Sequence, residues 1–437
     1  MKRKHILWLY EELPNLVSAG VLSAEGAARL RQYYGDAGEQ VRRNYALAVC
    51  AALGAALIGL GIILLFAHNW ENLSRPARTV LSFTPLVLGQ LIAGWTLLRR
   101  PDSVPWREGS GIFLMAGVGA AIALIGQTYH ISGDLGAFLF TWMLLSLPIV
   151  YVLGAVVPGA FYWIGLTWWA GFVQSEGGQV VLFWPLAALM GPYLWKVARD
   201  NPYGPRAILL GWVLALCLCV ATGITLERSL PGLWTVIYCA LFATMYLLGA
   251  YAFGGAPAFW QRPLEVVGAA GIAVVSLMLT FREPWREVGW NYYRSSAGYH
   301  AWAAVQDYLL ASGLLAASAL LLVLVYRERR LEKIPFGVAG VVALVVYATI
   351  AAELPESFAL AIFNVYLFAL GLITLFSGLL SRHLPTLNWG LLLVSTLIIA
   401  RFFDVDLSFT ARGIAFILVG IGFLAANLVV RRTGDTS

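Results

Sequence analysis

Polar stretches and apolar runs alternate from residue 45 to residue 430, and each apolar run is close to the roughly 20 residues that cross a bilayer as helix. Fourteen spans are predicted, at residues 45–66, 79–98, 110–128, 135–154, 157–174, 179–198, 206–226, 232–253, 264–281, 304–326, 335–352, 357–380, 386–402 and 411–430. The expected fold is all-α, a polytopic transmembrane helix bundle. Its least marked boundary lies between the fourth and fifth spans, where only Gly154, Pro158 and Gly159 punctuate an uncharged link. A re-entrant pair of helices fits those residues as well as two full spans do.

Residues 1–43 precede the first run and are polar enough for a cytoplasmic head. Leu7, Leu9, Leu16 and Val17 mark one helical stretch, Gly20 breaks it, and Ser23 is placed to cap a second helix carrying Ala27, Leu30 and Tyr34. A hairpin of this size has too little core to stand alone, so it is expected to rest on the membrane part or on a partner. The rest divides into residues 44–155 (spans one to four), 156–281 (spans five to nine), a polar aromatic loop at 282–303, and 304–437 with the last five spans and a short tail.

The basic residues orient this scheme. With the N-terminus inside, only Arg75, Arg78, Arg228, Arg282, Arg286, Arg294, Arg401 and Arg412 of the 29 lysines and arginines fall outside. That asymmetry predicts cytoplasmic N- and C-termini and an even number of spans. Small residues within spans, such as Gly117 and Gly119, are read as close-packing positions. Tryptophans near span ends, among them Trp195, Trp260 and Trp285, are read as interfacial anchors.

Composition narrows the class further. Of 437 residues, 60% are hydrophobic and 12% charged, with mean hydropathy +0.77, whereas soluble domains carry about 25% charged residues. A soluble enzyme with a membrane tag and a disulfide scaffold are both excluded. The net charge of +6 does not point to nucleic acid, because the basic residues form short clusters between apolar runs rather than a stripe with interleaved aromatics. Cys50, Cys217, Cys219 and Cys239 all lie inside apolar runs. Cys217 and Cys219, two apart on a helix, face different ways, so all four read as small packing residues without a disulfide.

Candidate chemistry is sparse. There is no GxxxxGK[ST] loop, HExxH pair or serine elbow, and no cofactor or resident metal is expected. Ionised groups at the bilayer centre are costly and kept mainly for function, and the span centres here are almost bare of them. The exceptions Gln90, Asn364 and Asn427 read as interhelical amide bonds. Polar residues gather instead at the expected outer span ends: His68 and Asn69 in FAHNWENL (66–73); Gln127, Tyr129, His130, Ser132 and Asp134 in GQTYHISGD (126–134); Arg401, Asp404 and Arg412 in ARFFDVDLSFTAR (400–412). If those ends converge, they form an outward-facing polar rim. His130 and Asp134, with His68, are also the groups available for zinc or acid–base work, although Gly133 disfavours a continuous helix between the first two.

The longest outer loop, 282–303, alternates Arg282, Arg286 and Arg294 with Glu283 and Glu287 among many aromatics. It is read either as a segment lying in the interface or as a dock for an extracytoplasmic partner through Trp285, Trp290, Tyr292, Tyr293 and Arg294, because Trp, Tyr and Arg dominate interface hot spots.

The head segment LPNLVSAGVLSAEGAARLRQYYG (13–35), FAHNWENL and GQTYHISGD, in that order, resemble the bacterial membrane-protein family called domain of unknown function 2157 over roughly residues 8–155. ARFFDVDLSFTARGIAFILVGIGFLAAN (400–427) is similar, more loosely, to the region C-terminal to that domain in longer members. The resemblance implies a bacterial inner membrane, a cytoplasmic head and a companion extracytoplasmic protein bearing a GDYxxLxY motif. It implies no catalytic role. The expected function is a non-enzymatic membrane component, a transporter, flippase-like or envelope-assembly subunit, working through the outer polar rim in contact with membrane lipids. The alternatives are a membrane-embedded enzyme acting on lipid-linked or envelope substrates through His130 and Asp134, and a scaffold docking the GDYxxLxY-type partner.

Overall fold

The computed structural model describes residues 12–34 apart from 15 and 19, residues 73–402 apart from 179, 227–231, 255–257, 287 and 289–300, and scattered positions between 410 and 421. The chain divides into two units, residues 1–81 and 82–437. In the first, Gly20 turns the chain at φ +71°, and Ser23 Oγ accepts the Gly26 amide at 3.1 Å to cap α1 (Ala24–Tyr34). Both features follow the expected pattern.

The helices α2 (Arg75–Arg99), α3 (Val104–Tyr129), α4 (Leu135–Leu153) and α5 (Val156–Ser175) come next, followed by two short helices, α6 (Phe183–Ala188) and α7 (Gly191–Asp200). Then come α8 (Pro205–Thr225), α9 (Leu233–Phe253), α10 (Pro263–Met278), the single turn α11 (Glu283–Arg286) and α12 (Ala301–Arg327). A short α13 (Ile334–Gly337) leads into α14 (Ala339–Ala351), and α15 (Glu356–Leu380) and α16 (Leu384–Phe402) pair closely. Among the described residues every element is helical, and ten helices are long and apolar enough to cross a membrane. The protein is an all-α polytopic membrane bundle.

The expected spans find their helices with two differences. Residues 179–198 do not form one regular span: α6 and α7 are separated by Leu189 and Met190. Pro192 has no amide hydrogen for the Ala188 carbonyl, which breaks the ladder at that turn. Residues 264–281 form α10, which at 16 residues falls short of the ten runs long enough to cross a membrane. The first expected span, 45–66, and most of the last, 411–430, lie outside the described residues.

The uncertain boundary at residue 154 resolves into two full-length helices. Gly154 takes φ +55°, a left-handed turn that glycine adopts without a Cβ penalty, and Ala155 completes a two-residue link. Glu108, near the start of α3, accepts the Val156 and Val157 amides at 2.9 and 2.8 Å. It thereby satisfies two of the unpaired donors at the start of α5. Arg107 Nε donates to the Leu153 carbonyl and Arg206 Nη2 to the Gly154 carbonyl.

Residues 82–437 hold two apolar cores. Leu139, Met143, Val150, Tyr162, Trp163 and Leu166 centre the first, and Ile237, Cys239, Leu247, Ile272, Phe363 and Leu370 the second. Helix α8 stands between them, giving Leu210, Cys217 and Ala221 to the first and Ala207 and Ala215 to the second. Cys219 packs on the second core while Cys217 sits in the first, the divergence their spacing predicts. Cys217, Cys219 and Cys239 are free thiols, and Cys50 lies outside the described residues. Gly117 and Gly119 are close-approach positions as expected: a Cβ would fall 2.8 Å from the Pro85 carbonyl oxygen and 2.6 Å from the Trp142 ring, respectively.

Candidate functional site

Helix α3 ends at Tyr129 because His130 enters the left-handed region at φ +51°, its amide bonding back to the Gly126 carbonyl. Four residues later Asp134 starts α4 as its N-cap, Oδ1 accepting the Ala137 amide at 2.6 Å. The motif GQTYHISGD is therefore a helix–turn–helix link. His130 and Asp134 belong to different elements and do not share a helical face.

Beneath this link a cleft of about 800 Å³ opens between α2, α3 and α4. Its walls are mostly apolar, with Leu86, Val118, Ile122 and Phe138 prominent. Ser132 and Asp134 stand at the link, and Thr141 and Gln90 supply polar groups further along α4 and α2. Thr141 donates its hydroxyl hydrogen to the Ala137 carbonyl at 2.8 Å. Gly126 and Gly133 also line the cleft, and a Cβ at either would meet nothing within 4 Å.

Of the expected rim residues that are described, Ser132 and Asp134 line this cleft. Tyr129 is 53% exposed, and Gln127 and His130 are exposed beside it. Arg401 is held elsewhere: its Nη2 donates to the Thr280 carbonyl and hydroxyl oxygens at 3.0 and 2.8 Å, and its guanidinium lies 4.5 Å from the Phe281 ring centroid. This ties the end of α16 to the turn after α10. His68, Asn69, Asp404 and Arg412 lie outside the described residues. Among the described residues no group of three His, Cys, Asp or Glu side chains is placed to hold a metal ion.

Two expectations need correction. Trp285 is neither an interfacial anchor nor a docking residue: it is 1% exposed, donates Nε1–H to the Leu279 carbonyl at 2.8 Å and packs against Phe363. A core indole whose N–H is satisfied has no face left for a partner. Trp290, Tyr292, Tyr293 and Arg294 lie outside the described residues. Asn364 Nδ2 donates to the Leu360 carbonyl one turn back in its own helix α15, and among the described residues it makes no interhelical bond. Gln90, expected to bond in the same way, is exposed to the cleft, and Asn427 is outside the described residues.

Two electrostatic clusters among the described residues involve basic residues that the sequence pattern marks only as topological anchors. At one, Glu108 caps α5 with Arg206 3.8 Å away. At the other, Glu265 in the first turn of α10 is 8% exposed and accepts from Lys333 Nζ at 2.6 Å, with Arg262 at 3.8 Å. Arg330 joins this second group by donating to the Ala250 carbonyl at the end of α9. Their one sequence signal is an acid placed two or three residues after Pro105 and Pro263 at helix starts.

Neither the curated proteins nor the solved structures include a match to this chain. Residues 14–159, about a third of the chain, match the family model described as predicted membrane protein (DUF2157), in agreement with the resemblance in the motifs; α1, the cleft and the capped α4–α5 link lie within the matched segment.

Proposed function

We propose that this protein is a non-enzymatic component of the bacterial inner membrane that takes an amphiphile from the bilayer into the cleft between α2, α3 and α4, as a flippase-like carrier or envelope-assembly subunit does. The observation that carries the reading is the cleft itself. Its volume lies within the roughly 300–1,000 Å³ typical of ligand sites, and it combines apolar walls with a few polar groups spaced along two helices. Apolar walls suit a hydrocarbon chain. Ser132 and the carboxylate of Asp134 suit a head rich in hydroxyl or amine donors, and the negative charge disfavours a phosphate at that position.

Asp134 is the one carboxylate among the described cleft residues, and one of its oxygens already serves as the α4 cap. That favours binding over acid–base chemistry, which generally needs a second positioned group. The inner-membrane setting rests on the family resemblance and on the clustering of arginine and lysine at one set of helix ends.

The test is photo-crosslinking of the purified full chain with a diazirine-bearing diacylglycerol, followed by peptide mapping. Label is expected to concentrate on the cleft faces of α3 and α4, and Gly126→Trp, which fills open space, is expected to remove most of it without loss of thermal stability. Label spread evenly over the lipid-facing helices, or unchanged by Gly126→Trp, overturns the proposal.

A further inference from the structure

A second, smaller groove lies at the other end of the same helices. It has a volume of about 280 Å³ and is lined by Ile92 of α2 and by Pro105, Trp106, Gly109, Ser110 and Phe113 of α3. Trp95 and Trp106 meet edge to face at its rim, with ring centroids 4.8 Å apart, and both rings are nearly half exposed. On α2, Ile92, Trp95 and Arg99 follow at helical spacings of three and four, so Arg99 lies on the groove's side one turn beyond the rim. Arg100 follows it directly. Both arginines are exposed, and among the described residues neither makes an ion pair, with Asp102 in the same connection or with any other acid.

This is an open apolar groove with the Trp106 indole in its lining, Trp95 against that ring, and two exposed arginines at the adjoining end of α2. We propose that it holds one acyl chain of an anionic phospholipid whose phosphate rests on Arg99 and Arg100. At about 280 Å³ the groove is small, and its walls are almost wholly apolar, which suits a single hydrocarbon chain. The exposed tryptophans belong at headgroup depth. The paired guanidiniums offer planar donor forks to phosphate oxygens. The charge is opposite to that of the Asp134 cleft, so the two sites select different heads, and this inference does not rest on the function proposed above.

Native mass spectrometry of the full chain, given equal amounts of dioleoyl phosphatidylglycerol and dioleoyl phosphatidylcholine, tests it. One phosphatidylglycerol is expected to be retained in preference. Basic residues at a membrane surface contribute roughly fivefold each in affinity, so Arg99→Gln with Arg100→Gln is expected to cut the preference by roughly 25-fold. Gly109→Phe should reduce retention of both lipids, because a Cβ at Gly109 meets nothing within 4 Å and the ring is free to occupy the groove. Arg327→Gln with Arg329→Gln removes the same charge away from the groove and is expected to leave the preference intact. The proposal is overturned by equal retention of the two lipids, by an equal loss in the Arg327/Arg329 variant, or by displacement of the lipid by millimolar inorganic phosphate. Should Gly109→Phe not fold, the two arginine pairs still decide.

Discussion

The starts of α3, α5, α8 and α10 meet the ends of α4 and α9 at one end of residues 82–437, and charged side chains there bind backbone. Glu108 accepts two amides, Arg107, Arg206 and Arg330 donate to carbonyls, and Lys333 holds the buried Glu265. At the opposite end of α3 and α4, the polar residues of the 126–134 link cap their own helices and otherwise stand exposed around an open cleft. Charge density alone thus separates poorly between structure and function in this protein. Arg107, Glu108, Arg206 and Arg330 at the arginine-rich end satisfy helix termini, whereas the sparsely charged end keeps the larger space. A ligand needs space and a few unengaged polar atoms; the cleft offers the larger space, and at the arginine-rich end the two meet in the small groove beside Arg99 and Arg100.

The comparison is broken most sharply at Glu108. Its alanine variant removes two charge-assisted hydrogen bonds to the α5 amides and leaves Arg206 without its carboxylate, so a loss of about 3 kcal/mol is expected in denaturant unfolding of the purified protein. A loss under about 1 kcal/mol would mean that water replaces the cap and that this end is not the rigid one. Lys333→Met comes next. It strands the buried Glu265 with only the more distant Arg262, for an expected cost of about 2 kcal/mol once residual solvent screening is allowed for. Adding Glu265→Gln should recover most of that loss, since no charge is then left buried.

Most helices are legible in the sequence because a bilayer imposes a length on apolar runs, and a run of twenty such residues has few other uses. The break at Pro192 is legible in principle from proline chemistry, but a hydropathy window averages over it. The cleft is not legible. Leu86, Val118, Ile122 and Phe138 have the chemistry of lipid-facing residues, and nothing in their order tells a wall of a cavity from a wall against lipid. Glu108 is hidden for another reason: its partners are backbone amides 48 and 49 positions away, and every residue but proline offers an amide. Trp285 shows the limit of reading aromatics by position, since an indole near a span end can face the headgroups or, as here, turn inward onto Phe363. The polar hairpin at 126–134 stands out in the sequence, but side-chain type ranks its residues by reactivity, whereas their geometry ranks them by which helix end they cap.

Smaller effects sharpen the contrast at the cleft end. Asp134→Ala removes the α4 cap and should cost about 1 kcal/mol, whereas Asp134→Asn retains a side-chain acceptor and should cost almost nothing in stability. If the carboxylate charge serves an amphiphile's head, both variants lose crosslinking to an aminoalkyl-headed diazirine lipid, and only the alanine variant also unfolds more readily. If Asp134→Asn keeps its crosslinking, the residue is a cap and the cleft selects by shape and apolar contact alone.

His130 gives the finest test. It sits at φ +51°, where a residue with a Cβ is held at a cost that glycine avoids. Glycine is also the residue most often found just past a helix end. His130→Gly is therefore expected to leave stability unchanged or raise it by up to about 1 kcal/mol. Its imidazole is exposed and does not line the cleft, so crosslinking of the cleft by the diacylglycerol probe should be unaltered. A variant that is more stable yet labels less would show that the strained histidine is kept for what its ring meets at the mouth of the cleft. The working face would then extend from the Asp134 cleft to the exposed residues of the link.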